Sequence, residues 1–106
     1  MDTAPIETAL KTGHKLAEKI KSAKTVQELK SLNPELEQYC DFLNKNFGEI
    51  DEFDANDEKY CQLSFYIFMA VESKISHLSY GNDDNSGVDD FLTYLNSKEW
   101  AKNSAD

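Results

Sequence analysis

The sequence predicts an all-α fold: a compact antiparallel bundle of four main helices and one short one, around a central apolar helix at 57–80. Three observations predict it. Apolar residues recur at helical spacing through most of the 106-residue chain. No alternating apolar–polar run lasts long enough to make a half-buried strand. Four Gly and two Pro leave little material for long loops, and short connections favour antiparallel neighbours. A chain of this length forms one domain, burying roughly two thirds of its unfolded surface, so 1–106 is read as a single unit.

The first helix is expected over 4–23. Ile6, Ala9, Leu10, Gly13, Leu16, Ala17 and Ile20 share one face, and Lys11, Lys15 and Lys19 lie opposite. Gly13 falls inside the apolar stripe, which predicts a close approach by another helix. Thr25 and Glu28 in "TVQE" form a capping box for a short helix at 26–32. Asn33 as cap and Pro34 in the first turn restart the chain. Leu36, Tyr39, Cys40, Leu43 and Phe47 then make a stripe, with Gly48 as a left-handed stop.

An acidic connection follows, with Ile50 and Phe53 pinning it to the core. The first half of helix 57–80 is apolar nearly all round, from Cys61 through Phe65, Phe68 and Met69 to Val71, which predicts neighbours on several sides. A last helix over 87–98 carries Val88, Phe91, Leu92 and Leu95 on one face, with Trp100 just beyond it.

Residues 82–87 resemble the start of an EF-hand loop, with Asn82, Asp84 and Ser86 at ligand positions and Gly87 at the turn. The likeness ends there. Asp89 stands where an aliphatic residue belongs, and Thr93 where a bidentate Glu belongs. Calcium binding is therefore not carried over. The stretch reads instead as a left-handed stop at Gly81 followed by a capping box, Ser86 with Asp89, for the last helix.

Charge excludes more than it identifies. The net charge is −9, and all eleven basic residues are lysines. Residues 1–30 hold six Lys against four acids, and 31–106 hold five against sixteen, so the two parts carry +2 and −11. Without Arg, and with an acidic surface, binding to nucleic acid or to an anionic membrane is disfavoured. The longest apolar-rich run, Tyr60 to Val71, is too short to span a bilayer. "MDTAPIETALKTGHK" lacks the pattern of a secretory leader. A soluble protein is expected, cytoplasmic in preference to periplasmic or secreted, the latter two requiring a leader removed beforehand.

No catalytic arrangement is recognisable. His14 has Glu18 four residues on, one pair and not a metal site, and His77 has no acid one turn away. No phosphate loop, nucleophile elbow or paired desolvated carboxylates occur. The expectation is therefore a non-enzyme without cofactor or metal. Cys40 and Cys61 fall at similar heights if their helices form a hairpin, so a disulfide between them is geometrically allowed in an oxidising compartment.

What remains are two acidic clusters. Glu49, Asp51, Glu52, Asp54, Asp57 and Glu58 place six acids in ten residues, and Asp83, Asp84, Asp89 and Asp90 four in eight. Phe53, Tyr60, Tyr80 and Phe91 lie within or beside them. Acids around aromatic anchors suit a basic protein partner. The functional expectation is an acidic protein-binding module, an inhibitor of immunity or antitoxin type that covers a basic partner, itself a monomer or weak homodimer. The alternatives are a structural, adaptor or secretion-chaperone subunit, and a ligand or metal carrier using the bundle core.

Overall fold

The computed structural model describes residues 4–50 and 59–103. Helix α1 runs Ala4–Ser22, α2 Val26–Lys30, α3 Asn33–Phe47, α4 Gln62–Ser79 and α5 Ser86–Ser97, and a 3-10 turn follows at Glu99–Asn103. The all-α bundle of four main helices and one short one is the observed fold.

Cross-helix contacts fix the topology. Tyr39 of α3 donates to the Ala9 carbonyl of α1, and Lys19 of α1 meets Glu35 of α3. Leu95 and Asn96 of α5 lie against Gly13 and His14, while Asp89 reaches Lys21. Each pair runs antiparallel. Cys40 and Asn44 of α3 bond to Ser64 near the start of α4, and Tyr66 of α4 stacks on Tyr94 of α5 at 4.5 Å. The helices therefore form an up-down-up-down square, α1–α3–α4–α5, each antiparallel to its two neighbours. Short α2 packs on α4 through buried Leu29.

One core fills the square, with Leu16, Ile20, Leu43, Phe47, Leu63, Ile67, Phe91 and Leu95 essentially sealed from solvent. Gly13 serves as its spacing implied. A Cβ there would stand 2.6 Å from the Tyr39 hydroxyl and 2.8 Å from Leu95 Cδ2. Gly13→Ala is expected to lower stability by about 1–3 kcal/mol from overpacking, despite the better helix propensity of Ala. Urea denaturation checks this, and an unchanged or stabilised variant would show that Tyr39 can yield.

The caps divide into expected and corrected ones. The Glu28 amide donates to Thr25 Oγ1 at 3.1 Å, and the Glu28 carboxylate accepts from the Thr25 hydroxyl and the Lys24 amide. Gly81 has φ +81°. Its amide bonds to Leu78 and the Asn82 amide to His77, the paired closure of a Schellman motif.

Gly48 stops α3 differently from the expectation. Its φ is −74°, and it is needed because a Cβ would collide with the Asn44 carbonyl and with Lys59. Leu32, not Asn33, is the α3 cap residue. Ser86 lies inside α5, and the cap bond there runs from the Ser86 amide to Asp84 Oδ1 at 2.8 Å, not within a Ser86–Asp89 box.

The long helix begins at Gln62. Lys59 and Tyr60 instead form a two-residue strand, β2, antiparallel to β1 at Glu49–Ile50, with Glu49 opposite Tyr60. A strand pair this short has no alternating pattern to betray it. Among the described residues no helix is long and apolar enough to cross a membrane.

Candidate protein-docking face

A four-helix square leaves each helix with one outward face, and solubility requires that face to be polar. Three helices comply. The outward residues of α1 include Glu7, Lys11, Lys15 and Glu18; those of α3, Glu35, Glu37, Asp41 and Lys45; those of α5, Asp89, Asp90, Thr93 and Asn96.

Helix α4 does not comply. Its outward face begins Gln62, Phe65, Phe68, Met69 before turning polar at Glu72, Ser76 and Ser79. Phe65 is 44% exposed, Phe68 57% and Met69 44%. Spacings of three and four place them side by side as one ridge. Helix α4 has the neighbours on several sides that its pattern predicts, α1, α2, α3 and α5, and one side of it stays open.

Hollows flank the ridge. Tyr66 and Phe68 lie 200° apart on the helix wheel at about 100° per residue, so the two hollows fall on opposite sides. On the α3 side, Leu36, Cys40, Ile67, Phe68 and Val71 line a groove of about 360 Å³, with Glu37, Asp41 and Glu72 along it. On the α5 side, a hollow of about 380 Å³ holds the Tyr66–Tyr94 stack with Asp90 and Glu99. Carboxylates line both, and among the described residues neither is lined by a lysine.

The acids singled out by sequence have varied fates. Asp51, Glu52, Phe53, Asp54, Asp57 and Glu58 lie outside the described residues, as does the side chain of Glu49. Tyr80 is 82% exposed at the end of α4. Asp90 borders the tyrosine hollow. Phe91 is a core residue, not a surface anchor.

Asp83, Asp84 and Asp89 are engaged inside the chain. Asp83 bonds to Lys24 at 3.0 Å and Lys74 at 3.1 Å. Asp84 caps α5 and lies 3.9 Å from His77, and Asp89 pairs with Lys21. Gly87, which the EF-hand likeness placed in a loop turn, sits inside α5, its Cα side pressed to Ala70 of α4.

Sequence reasoning missed Lys74. It has no exposed surface, yet its ammonium bonds to the Lys21 carbonyl at 2.7 Å, Asn85 Oδ1 at 2.9 Å and Asp83. It ties the α1 end, the α4 body and the α4–α5 connection together. The available signal was its place seven residues after buried Ile67, on the same face.

Lys24 first, then Lys74, holds the Asp83 carboxyl below its ordinary value. The Ser86 amide does the same for Asp84. The unfolded chain then binds protons more readily than the folded one, so this contribution is complete above the ordinary carboxylate value of about 3.9 and is lost as pH falls through the lowered folded values. Asp83→Asn is therefore expected to flatten the acid limb of a melting-temperature profile between about pH 2 and 6. Parallel limbs for the two proteins would remove Asp83 from acid stability.

Cys40 and Cys61 are both free thiols. Burial first, then Asp41 and Cys61, pushes the Cys40 thiol up to about 11, so it is protonated at neutral pH and a poor nucleophile. His14 bonds to Asn96 Oδ1.

Comparison with protein families, with characterised proteins and with solved structures returns no match. Fold and face together define the class, an acidic all-α bundle with one apolar outward helix face.

Proposed function

We propose that the chain is a non-enzymatic binding module that docks a basic protein on the outward face of α4, as an inhibitor of the immunity or antitoxin type. The observation that carries the reading is the Phe65–Phe68–Met69 ridge between two carboxylate-lined hollows. Aromatic residues flanked by carboxylates are the composition of an interface centre and its rim. The acids would speed encounter and select the partner's sign, and the rings would supply the burial. The focus thus moves from Asp83, Asp84 and Asp89, which serve the fold, to Glu37, Asp41, Glu72 and Asp90.

The same ridge would serve a structural or adaptor subunit that self-associates, and sedimentation separates the two. A salt-insensitive dimer lost in Phe65→Ser/Phe68→Ser would favour the adaptor. For the inhibitor reading, the immobilised chain and that double variant are exposed to lysate of the native organism at low and high salt. One basic protein held by the wild type at low salt, released at high salt and absent from the variant is the expected result. Equal capture by both, or no capture by a folded wild-type chain, would overturn the reading.

A further inference from the structure

We infer that the groove between α3 and α4 receives one amphipathic helix of the partner, with Leu-like residues on its inner face and Lys or Arg along its edges. This rests on the docking function proposed above and specifies the element that docks.

The groove walls are two antiparallel helices, so the floor is a straight trough. Leu36 and Cys40 contribute from α3 at i,i+4, and Ile67, Phe68 and Val71 from α4. Both walls have their backbone groups bonded within their own helices. They offer no free strand edge. An extended peptide laid on this apolar floor would leave its own amides and carbonyls without partners, whereas a helix satisfies its own. A third helix resting in the furrow between two packed helices is also the ordinary way such surfaces are covered.

The edges fix the charge of the occupant. Glu37 and Asp41 stand one turn apart on α3, and Glu72 faces them from α4. All three are exposed, and among the described residues no lysine lines the trough. Cations at i and i+4 of an incoming helix would match Glu37 and Asp41, whose Cβ atoms at that spacing lie about 6 Å apart.

A second copy of the chain does not fit. Its basic surface is the outward face of α1, but the apolar face of that helix is buried in its own core through Ala9, Leu16 and Ile20. Pairing two copies through α4 would bring the same carboxylates together.

The probe is a labelled 18-residue peptide of Leu and Lys with Leu at helical spacing. Its control is a scramble of identical composition with Leu on all sides. Binding to the intact protein is read by fluorescence anisotropy at physiological salt. The amphipathic peptide is expected to bind about tenfold or more tighter than the scramble. Glu37→Lys/Asp41→Lys is expected to weaken it by about tenfold or more. Glu7→Lys/Glu18→Lys makes the same change in net charge on the outer face of α1 and is expected to alter binding less than about threefold. Should the first pair perturb folding, as circular dichroism would reveal, Glu37→Gln/Asp41→Asn replaces it with the same ordering expected.

Equal weakening by the two lysine pairs, or equal binding of the scramble, would overturn the proposal, because bulk charge would then explain the affinity. If the groove ignores the peptide while Phe65→Ser/Phe68→Ser still abolishes capture of the basic partner, the docking function stands and only the helix is overturned. If the double Phe variant captures the partner as the wild type does, the docking reading itself fails.

Discussion

Replacing Trp100 by alanine is expected to cost about 3–5 kcal/mol, a large share of the roughly 5–15 kcal/mol that holds a domain of this size folded. Trp100 has no exposed surface. Its ring meets Phe47 edge-on, with centroids 4.8 Å apart and planes at 81°, a favoured aromatic arrangement. Its indole N–H donates to the Leu95 carbonyl at 2.9 Å. The residue thus joins the end of α3 to the end of α5 through one side chain. Alanine would leave an apolar void and remove the indole bond to the Leu95 carbonyl, which keeps the Lys98 amide as a donor. Trp100→Phe keeps one aromatic ring but loses the N–H bond and the packing of the fused second ring, so it should cost about 1–3 kcal/mol. Urea denaturation of the two variants checks both values. A loss under about 1 kcal/mol for Trp100→Ala would mean that the turn at Glu99–Asn103 docks only weakly and that the core closes without it.

The sequence placed Trp100 beyond the last helix and could not bring it home. The chain reverses at Lys98, whose φ of 59° is the only positive value among described non-glycine residues. A lysine gives no warning of a left-handed turn, where Gly or Asn would. Gly13 and Gly81, by contrast, were legible because the stripe around one and the polar run after the other each ask for glycine. The start of α4 was illegible for another reason. Lys59 and Tyr60 continue an acceptable helical pattern, and their pairing with Glu49 and Ile50 is a contact between segments that no local periodicity records.

The apolar outward face of α4 stood half in view. Glu72, Ser76 and Ser79 mark the outward side of α4. Stepping back along that side by turns of three and four reaches Phe68, Met69 and Phe65. Helix α4 is central, touching α1, α2, α3 and α5, but these three side chains are exposed and do not face those neighbours. The acid clusters misdirected for a related reason: charge density along the chain does not say which acids are already answered. Asp83 and Asp89 are answered by Lys24 and Lys21, from segments far away in sequence, and Asp83 also by Lys74 on the preceding helix. Glu37, Asp41 and Glu72, too sparse to form a run, converge only when α3 lies against α4.

Phe65→Ser/Phe68→Ser is expected to separate stability from binding, and that separation is the strongest test of what the ridge is for. Core truncations such as Trp100→Ala lower both together, because the face depends on the fold. The two phenylalanines are about half in water already. Removing them should lower unfolding free energy by about 1–3 kcal/mol in all, half the value of full burial for each ring, the edge contact of Phe65 with Tyr66 at 6.4 Å included. Affinity for the basic partner should fall by about 100-fold or more, since buried aromatic anchors at an interface centre cost about 2 kcal/mol or more each when truncated. Glu72→Lys supplies the complementary reading. It lies on the same side of α4 beyond the ridge and should act on association rate and salt dependence more than on lifetime. A double Phe variant that unfolds earlier yet binds normally would reverse the assignment. The rings would then be holding α4 against its neighbours, and the open face would be a packing compromise, not a docking surface.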